Sequence, residues 1–312
     1  MTYIKDLKEH ERLTQPLLVK EVKNGTTTKG SPYLSMTLQD KTGFIDAKMW
    51  DAKDSDQELV QTGKIINFTF EVLNYKDNLQ LRVNRAEKID ENDINLDDFV
   101  ISSENSEEKR RNIANQLVMS IQNETYKKLV IGVIQAVGDK YFTFPAASKI
   151  HHSWFGGLSD HSLSMATLAD KICQHYPQLN RDLLVSAALI HDVGKTVELS
   201  GPVTTEYTLA GKLEGHISIG NEMLDEVAKK LNLENEEETI LMHHMVLSHH
   251  GKMEFGSPVV PMLMEAEVLS LIDNMDARIT TLTGALASTK EGQWTSKLFS
   301  LENRQFFKPN KK

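Results

Sequence analysis

Hydrophobic and polar residues alternate in short segments of the N-terminal part of the chain. The segments are 17–22, 33–38, 44–50, 64–72 and 79–83, and turn chemistry separates them at Asn24-Gly25, 29–32 and 40–43. Alternation with a period of two is typical of a β-strand with one buried face. Five strands of this length and spacing predict a small closed barrel over residues 1–90.

The period of the hydrophobic pattern becomes helical further along the chain. Residues 91–108 are acidic and contain an Asn/Asp-rich stretch, which favours a linker. Apolar residues then recur at helical spacing, as in Ile113, Leu117 and Ile121, and the pattern continues to about residue 288. The predicted fold is therefore multidomain, β followed by all-α. Its predicted parts are a barrel at 1–90, a linker at 91–108, a helical connector at 109–150, a helical domain at 151–290 and a disordered tail at 291–312.

Composition narrows the possible classes of protein. Cys173 is the only cysteine among 312 residues, which excludes an internal disulfide and a cysteine-rich zinc module. We find no signal peptide and no apolar run near the roughly 18 residues of a transmembrane helix, so we expect a cytoplasmic protein with no membrane partner. The net charge of −9 disfavours a general nucleic-acid binder but is compatible with a local basic groove.

Histidines and aspartates are concentrated in the C-terminal half, around His191-Asp192-Val193-Gly194-Lys195. Imidazole and carboxylate groups are the usual ligands of borderline or hard divalent metals. Asp273 shares a predicted helix face with Leu269 and Ala266, where an unpaired carboxylate would be unfavourable. The candidate ligands are His161, His191, Asp192, His216, His249, His250 and Asp273.

These seven candidates are too many for one metal and suffice for two. The alternative for each histidine is a hydrogen-bonded structural role, which is how we interpret His10, His175, His243 and His244.

The combination of His161, His191-Asp192 and Asp273 resembles the HD superfamily of metal-dependent phosphohydrolases. The additional His216, His249 and His250 resemble its binuclear members. The resemblance implies that the first four residues hold one metal, and that Asp192 bridges to a second metal held by the three additional histidines. Lys195 matches the lysine that follows the HD pair, so Lys195 and Asp192 are the predicted catalytic residues. Two divalent metals can activate a hydroxide for attack on phosphorus and stabilise charge on the phosphodiester.

In strand number and spacing, the predicted barrel resembles the OB fold. OB barrels commonly bind single strands by stacking bases on aromatic side chains beside a basic groove. Tyr33, Trp50 and Tyr75 lie at predicted strand ends, and Lys48 and Arg82 are basic candidates. The alternative is that these side chains form the core and rim of the barrel. Phe68 and Phe70 are predicted to belong to the core, because they share a face with other apolar residues of their strand.

A barrel followed by an HD domain resembles the YhaM-type 3′-5′ exoribonuclease family over nearly the whole chain. The matching stretches include 142–147, His151 and His152, 156–157 and 247–258. The resemblance implies that single-stranded RNA is shortened from its 3′ end to nucleoside 5′-monophosphates, with single-stranded DNA left open as a substrate. It also implies a preference for Mn²⁺, two metals per chain and a homo-oligomer. His151 and His152 are candidate nucleic-acid contacts only because they lie in a matching stretch.

Two other functions are compatible with parts of the sequence. An HD-domain hydrolase of a small nucleotide would use the same ligands, but it has no evident need for a strand-binding barrel. A non-catalytic nucleic-acid-binding factor would use metals only to hold helices together, but such a structural site needs no open coordination position.

Overall fold

The computed structural model describes residues 1–75, 78–89, 98–100, 105–147, 154–202 and 205–310. The chain forms two compact units, Met1–Ser102 and Ser103–Lys312. The finer division into connector, helical domain and tail stays a prediction. Among the described residues, no helix is both long enough and apolar enough to cross a lipid bilayer, and the cytoplasmic location likewise stays a prediction.

The first unit is a closed five-stranded barrel with strand order β1-β2-β3-β5-β4, as the alternation predicted. All neighbouring strands are antiparallel except β3 and β5, which are parallel. A short helix, α1, lies between β3 and β4 in the chain. The elements are β1 (Arg12–Thr26), β2 (Pro32–Asp40), β3 (Gly43–Trp50), α1 (Asp54–Leu59), β4 (Ile65–Tyr75) and β5 (Asn78–Lys88).

The inner face of the barrel follows the predicted alternation. Phe68 and Phe70 are fully buried, and Ile45 is buried while its neighbour Phe44 is 48% exposed. Asn24 and Gly25 differ from the prediction, because β1 continues through them to Thr26 and the chain turns after it. Gly25 lies opposite Tyr33 in β2, and a Cβ atom at Gly25 would collide with the tyrosine ring. The glycine therefore makes room for an aromatic ring instead of forming a turn.

Part of the predicted linker packs against the barrel. Phe99 and Val100 are 3% and 5% exposed. The Gln39 side chain donates to the Phe99 carbonyl at 2.9 Å, and Lys41 forms an ion pair with Asp98 at 2.7 Å. Residues 98–100 thus belong to the barrel unit.

The second unit is helical and is built around α6. Residues Leu183 to Ile190 of this helix are all buried. Apart from Ser186 they are all apolar, as expected of a helix that is covered on every side. The side chain of Asn180 caps its N-terminus by accepting from the Leu183 amide at 3.1 Å. The helices are α2 (Glu107–Ser120), α3 (Glu124–Val137), α4 (Lys140–Thr143), α5 (Gly157–His175), α6 (Arg181–Ile190), α7 (Lys195–Glu198), α8 (Leu209–Leu213), α9 (Gly215–Leu231), α10 (Glu237–Ser248) and α11 (Met264–Ala287).

The described part of the C-terminal tail is folded, which corrects the prediction of disorder. Trp294 pairs with Phe307, and Leu298 pairs with Arg304, each through an isolated antiparallel bridge. The Lys308 ammonium donates to the carbonyls of Leu286 and Thr289 at the end of α11, at 2.7 Å each. The polar composition of the tail suggested disorder, but these hydrogen bonds satisfy its backbone and the helix terminus.

Candidate metal centre

The HD pair lies at the C-terminal end of α6, where the buried helix stops. His191 is the C-cap residue, and Asp192 follows in the turn that leads into α7. Gly194 lets α9 approach this turn closely, because a Cβ atom there would collide with the His216 carbonyl. The glycine therefore allows the first turn of α9 to bring His216 beside Asp192.

Asp192 lies at the centre of the histidine cluster. Its Oδ2 atom is 3.4 Å from His191 Nε2 and 3.7 Å from His161 Nε2. Its Oδ1 atom is 3.4 Å from His216 Nε2 and 3.6 Å from His249 Nε2. The two carboxylate oxygens thus face two different sets of imidazoles.

The remaining two candidate ligands lie at opposite ends of this cluster. Asp273 of α11 has its Oδ1 atom 3.2 Å from His161 Nε2. The ring of His250 is 5.1 Å from that of His216 and 4.4 Å from that of His249, measured between centroids. The structure therefore brings all seven sequence-predicted residues together. Their ligand atoms form three overlapping groups, each within 4.8 Å: His161-His191-Asp273, His191-Asp192-His249 and His216-His249-His250.

The five histidines all present the Nε2 atom to the centre, because an oxygen acceptor engages Nδ1 of each ring. An acceptor at Nδ1 favours the tautomer that leaves the Nε2 lone pair free to bind a metal. The acceptors are Asp276 for His161 at 2.8 Å, the Ala188 carbonyl for His191 at 3.0 Å, Glu198 for His216 at 3.0 Å, the Val246 carbonyl for His249 at 2.7 Å and the Phe255 carbonyl for His250 at 2.8 Å.

Several inward-facing atoms are buried without a hydrogen-bond partner among the described residues. They are Nε2 of His191, His216 and His249 and Oδ1 of Asp192. Buried polar atoms in folded proteins are nearly always paired, so four such atoms in one place indicate a missing partner. A mixed set of imidazole and carboxylate donors fits a divalent metal of the first transition row.

The electrostatics of the cluster favour deprotonated carboxylates. Burial by itself raises the pKa of Asp192, but the positive charge of Lys195 beside the carboxylate outweighs it and holds the pKa well below its ordinary value. Burial also raises the pKa of Asp273, and hydrogen bonding to His161 reverses the effect, so that this pKa is lowered too. For His249, burial lowers the pKa and keeps the imidazole neutral, as a metal ligand must be.

His161 differs from His249 in its protonation. Burial lowers the pKa of His161, but hydrogen bonds to Asp273 and Asp276 raise it to about 9. A divalent metal at this position would displace the proton on Nε2, so metal binding there is coupled to proton release.

Lys195 lies on the same side of Asp192 as His161 and His191. Its ammonium donates to Asp192 Oδ2 at 2.6 Å. Burial by itself lowers the pKa of Lys195, but the carboxylates of Asp192, Asp273 and Glu198 outweigh it and raise the pKa. Lys195 is therefore positively charged beside the cluster.

The sequence reasoning missed two carboxylates that hold ligands in place. Glu198 binds both Nδ1 and the backbone amide of His216, at 3.0 and 3.1 Å, and Asp276 binds His161. Ser164 in turn donates to Asp276 at 2.6 Å. Both carboxylates lie three residues after a candidate site residue, Lys195 and Asp273 respectively, and this one-turn spacing was the available signal.

The predicted nucleic-acid contacts fall into four groups. Tyr33 and Trp50 pair across β2 and β3 with their rings 5.1 Å apart, and the Lys48 ammonium lies 5.3 Å from the Trp50 ring. Tyr75, at the end of β4, is 59% exposed. Arg82 is engaged in an ion pair with Glu71, which reduces its availability. The last two candidates, His151 and His152, lie outside the described residues.

Comparison with known proteins gives a consistent assignment. A family model described as HD domain matches residues 158–278, one described as OB-fold nucleic acid binding domain matches residues 18–89, and a model of a helicase family matches residues 98–179. The second OB-fold domain of replication protein A from Methanococcus maripaludis aligns with 29% of this chain and 97% of its own, at 23% identity and a TM-score of 0.24.

Several relatives that match nearly the full length are named 3′-5′ exoribonuclease YhaM. The protein from Geobacillus sp. (strain WCH70) is 39% identical over 96% of this chain and 92% of its own. The Bacillus subtilis protein is 38% identical over 96% and 95%, and the Listeria welshimeri protein is 38% identical over 94% of each chain. With its barrel, its HD domain and this extent of similarity, the chain belongs to the YhaM family of 3′-5′ exoribonucleases.

Proposed function

We propose that this protein is a metal-dependent 3′-5′ exoribonuclease that hydrolyses single-stranded RNA to nucleoside 5′-monophosphates. The observation that carries the proposal is the arrangement around Asp192, whose two oxygens face two sets of Nε2 atoms. Several of these atoms are buried and have no hydrogen-bond partner in the described part of the chain. The family membership supplies the reaction and its direction.

The proposed ligand sets follow the two sides of Asp192. His161, His191 and Asp273 would share one metal with Asp192 Oδ2. The opposite set would share a second metal with Asp192 Oδ1 and consists of His216, His249 and His250. The mixture of nitrogen and oxygen donors is compatible with Mn²⁺, which we propose as the preferred metal, two per chain. A divalent metal bound here supplies a Lewis acid for the phosphoryl oxygens and makes water a nucleophile near neutral pH.

The chain's own residues then have distinct roles. Asp192 joins the two ligand sets, and its low pKa keeps the carboxylate charged. Lys195, charged and next to Asp192, would offset negative charge that develops on the phosphate in the transition state. Glu198 and Asp276 hold His216 and His161 in the required orientation.

The barrel would bind the single strand that the metal centre shortens. The outward face of β2 and β3 carries Tyr33, Lys48 and Trp50, which combine stacking surfaces with a positive charge. Tyr75 is the last residue of β4, and the loops of OB folds commonly contribute to strand binding. Single-stranded DNA as a second substrate and a homo-oligomeric state are further parts of the proposal, and they rest on the family resemblance.

The two alternatives considered from the sequence are less well supported. A small-nucleotide hydrolase leaves the barrel face without a role. A binding factor without catalysis leaves Lys195 without a role, since a buried charge next to metal ligands is costly for a purely structural site.

The proposal is tested by a time course on 5′-labelled single-stranded RNA with Mn²⁺, with EDTA, and with Asp192→Asn in place of the wild type. We expect the wild type with Mn²⁺ to give a ladder that shortens from the 3′ end and to release nucleoside 5′-monophosphates. We expect neither product with EDTA or with Asp192→Asn. Substitution by asparagine preserves the shape of Asp192 and removes its charge. Wild-type rates in the variant would contradict the assignment of Asp192, and intact RNA in every lane would contradict the proposed reaction.

A further inference from the structure

The last part of the described chain forms an irregular hairpin, which we call the C-terminal hairpin (residues 292–308). The Lys308 amide donates to the Gln293 carbonyl at 2.8 Å, the Thr295 amide to the Phe306 carbonyl at 2.9 Å, and the Leu298 amide to the Arg304 carbonyl at 3.0 Å. This segment lies beyond residue 278, where the match to the HD domain family ends. The architecture of the HD domain therefore does not account for it.

The C-terminal hairpin is attached to α11, the helix that carries Asp273. Arg278 binds Glu302 through two hydrogen bonds of 3.0 and 3.1 Å, and Lys308 caps the end of the helix. Arg278 comes five residues after Asp273, which corresponds to about 8 Å along the helix axis. The Trp294–Phe307 pair is next to Lys308, which binds Leu286, thirteen residues after Asp273 and about 20 Å along the helix axis. The hairpin is thus attached to the helix that carries Asp273, with its aromatic pair at the end further from the metal centre.

The surface of the hairpin carries large aromatic side chains that the fold does not use. Trp294 and Phe307 are 63% and 45% exposed, and their rings lie 5.4 Å apart at 55°. Phe299 is 85% exposed, whereas Thr295 and Leu301 are almost fully buried and hold the segment in place. Exposed apolar groups concentrated on one small element are typical of a binding surface.

The charge of this region is opposite to that of the whole chain. Residues 289–312 contain six basic and two acidic residues, a net charge of +4 in a chain of net charge −9. Lys290, Lys297 and Arg304 are exposed. The Arg304 guanidinium lies 5.3 Å from the ring of Phe306 and also pairs with Glu302 at 2.7 Å.

The same combination of groups occurs on the barrel. There, Tyr33 and Trp50 form a tilted pair at 5.1 Å and 40°, with Lys48 beside it. Aromatic pairs flanked by cations bind single strands without sequence preference, because each base can stack and each phosphate is attracted.

We propose that the C-terminal hairpin is a second binding surface for single-stranded RNA. It would contact nucleotides further upstream, beyond the reach of a tetranucleotide whose 3′ end is held at the metal centre. The inference rests on the proposed function for the direction of the strand. A polyanion with stackable bases matches both properties of the surface, its positive charge and its aromatic rings.

The first test measures RNA affinity in the full chain with Asp192→Asn as background, so that RNA is not consumed. Trp294→Ala with Phe307→Ala is compared with Tyr176→Ala, a control in the same unit whose tyrosine is 49% exposed. Loss of two stacking contacts is expected to weaken binding of a long oligonucleotide by about thirtyfold or more. Binding of a tetranucleotide and the behaviour of the control are expected to stay unchanged. Substitution of Lys290 and Lys297 by glutamine is expected to reduce the slope of log K against log salt concentration by about 1.4 in magnitude.

A second measurement leaves the aromatic side chains of the hairpin in place. Trp50→Phe with Trp154→Phe leaves Trp294 as the single tryptophan of the three in the chain. Single-stranded RNA is expected to quench its fluorescence. Unchanged fluorescence together with unchanged affinity would overturn the inference. The double alanine variant would also overturn the inference if it dissociated an oligomer in sedimentation and left the RNA affinity per chain unchanged. The surface would then be a contact with a second copy of the chain.

The proposed function and this inference fail in different ways. If the wild type with Mn²⁺ leaves a tetranucleotide intact while RNA still quenches Trp294, the proposed reaction is wrong and the binding surface stands. If the tetranucleotide is degraded and the hairpin substitutions change nothing, the reaction stands and the binding surface is wrong.

Discussion

The metal centre and the barrel face use polar and aromatic groups in opposite ways. His161, His191, Asp192 and His249 are at most 1% exposed, whereas Trp50 is 46% exposed. Groups in the metal centre point towards one another, and protein atoms hold the outer nitrogen of each ring. Groups on the barrel face point outward from adjacent strands.

The difference follows from what each region must bind. A buried cluster of charges is stable only if every group is neutralised or bonded, so its geometry is set before the ligand arrives. An outward face is already solvated, and it binds by adding stacking and ionic contacts one at a time. We therefore expect single substitutions in the metal centre to have larger effects than single substitutions on the barrel face.

If the barrel and the metal centre are independent, the barrel can be destabilised without loss of metal binding. Phe68→Ala removes a fully buried ring from the barrel core and should destabilise that unit by about 3–5 kcal/mol. In calorimetry, we expect the barrel transition to fall by on the order of 10 °C or more. The transition that Mn²⁺ raises should stay in place.

Phe44→Ala provides the control for this substitution, because Phe44 lies in the same barrel and is 48% exposed. Its effect should be within about 0.5 kcal/mol. If Phe68→Ala lowered both transitions equally, the two units would not be independent, and the comparison would lose its basis.

Substitutions of Asp276 and Glu198, which bind His161 and His216, should distinguish the two ends of the metal centre. Asp276→Asn is expected to weaken metal binding at the His161 end, and Glu198→Gln at the His216 end, each by about 10-fold to 100-fold. Calorimetric titration with Mn²⁺ measures the binding steps directly and does not depend on RNA hydrolysis. Asp225→Asn, which removes a surface partner of Lys229, should leave both steps unchanged. Equal weakening of one step by both substitutions would argue against two separate ligand sets.

The smallest effect is expected on the barrel face. Trp50→Ala should weaken binding of long single-stranded RNA by about fivefold or more, through the loss of one stacking contact. Hydrolysis of a tetranucleotide should continue at the wild-type rate. Fluorescence anisotropy compares this variant with Phe44→Ala, which removes a similarly exposed ring from the opposite end of β3. Equal losses in the two variants would show that any exposed ring on the strand contributes, and that Tyr33, Lys48 and Trp50 form no distinct site.

Much of the fold was predictable because local patterns and tertiary packing agree in it. The barrel strands alternate and the helical unit has helical periodicity, so the class of each element could be assigned from neighbouring residues. The prediction was wrong where a residue serves a distant partner. Gly25 lies within a strand because of the Tyr33 ring, and the tail is ordered because Lys308 and Glu302 bind α11.

The sequence by itself determined the type of protein and the list of candidate metal ligands. The resemblance of the combined pattern to the HD superfamily was needed for that purpose, because a single histidine on an apolar helix face is equally compatible with a hydrogen-bonded structural role. Only the tertiary structure decided which oxygen of Asp192 faces which histidines, that Glu198 and Asp276 orient the rings, and that Trp294 and Phe307 share one surface. The physical reason is that hydrogen bonds and ring contacts act over a few ångströms in space, between residues that lie up to 115 positions apart in the chain.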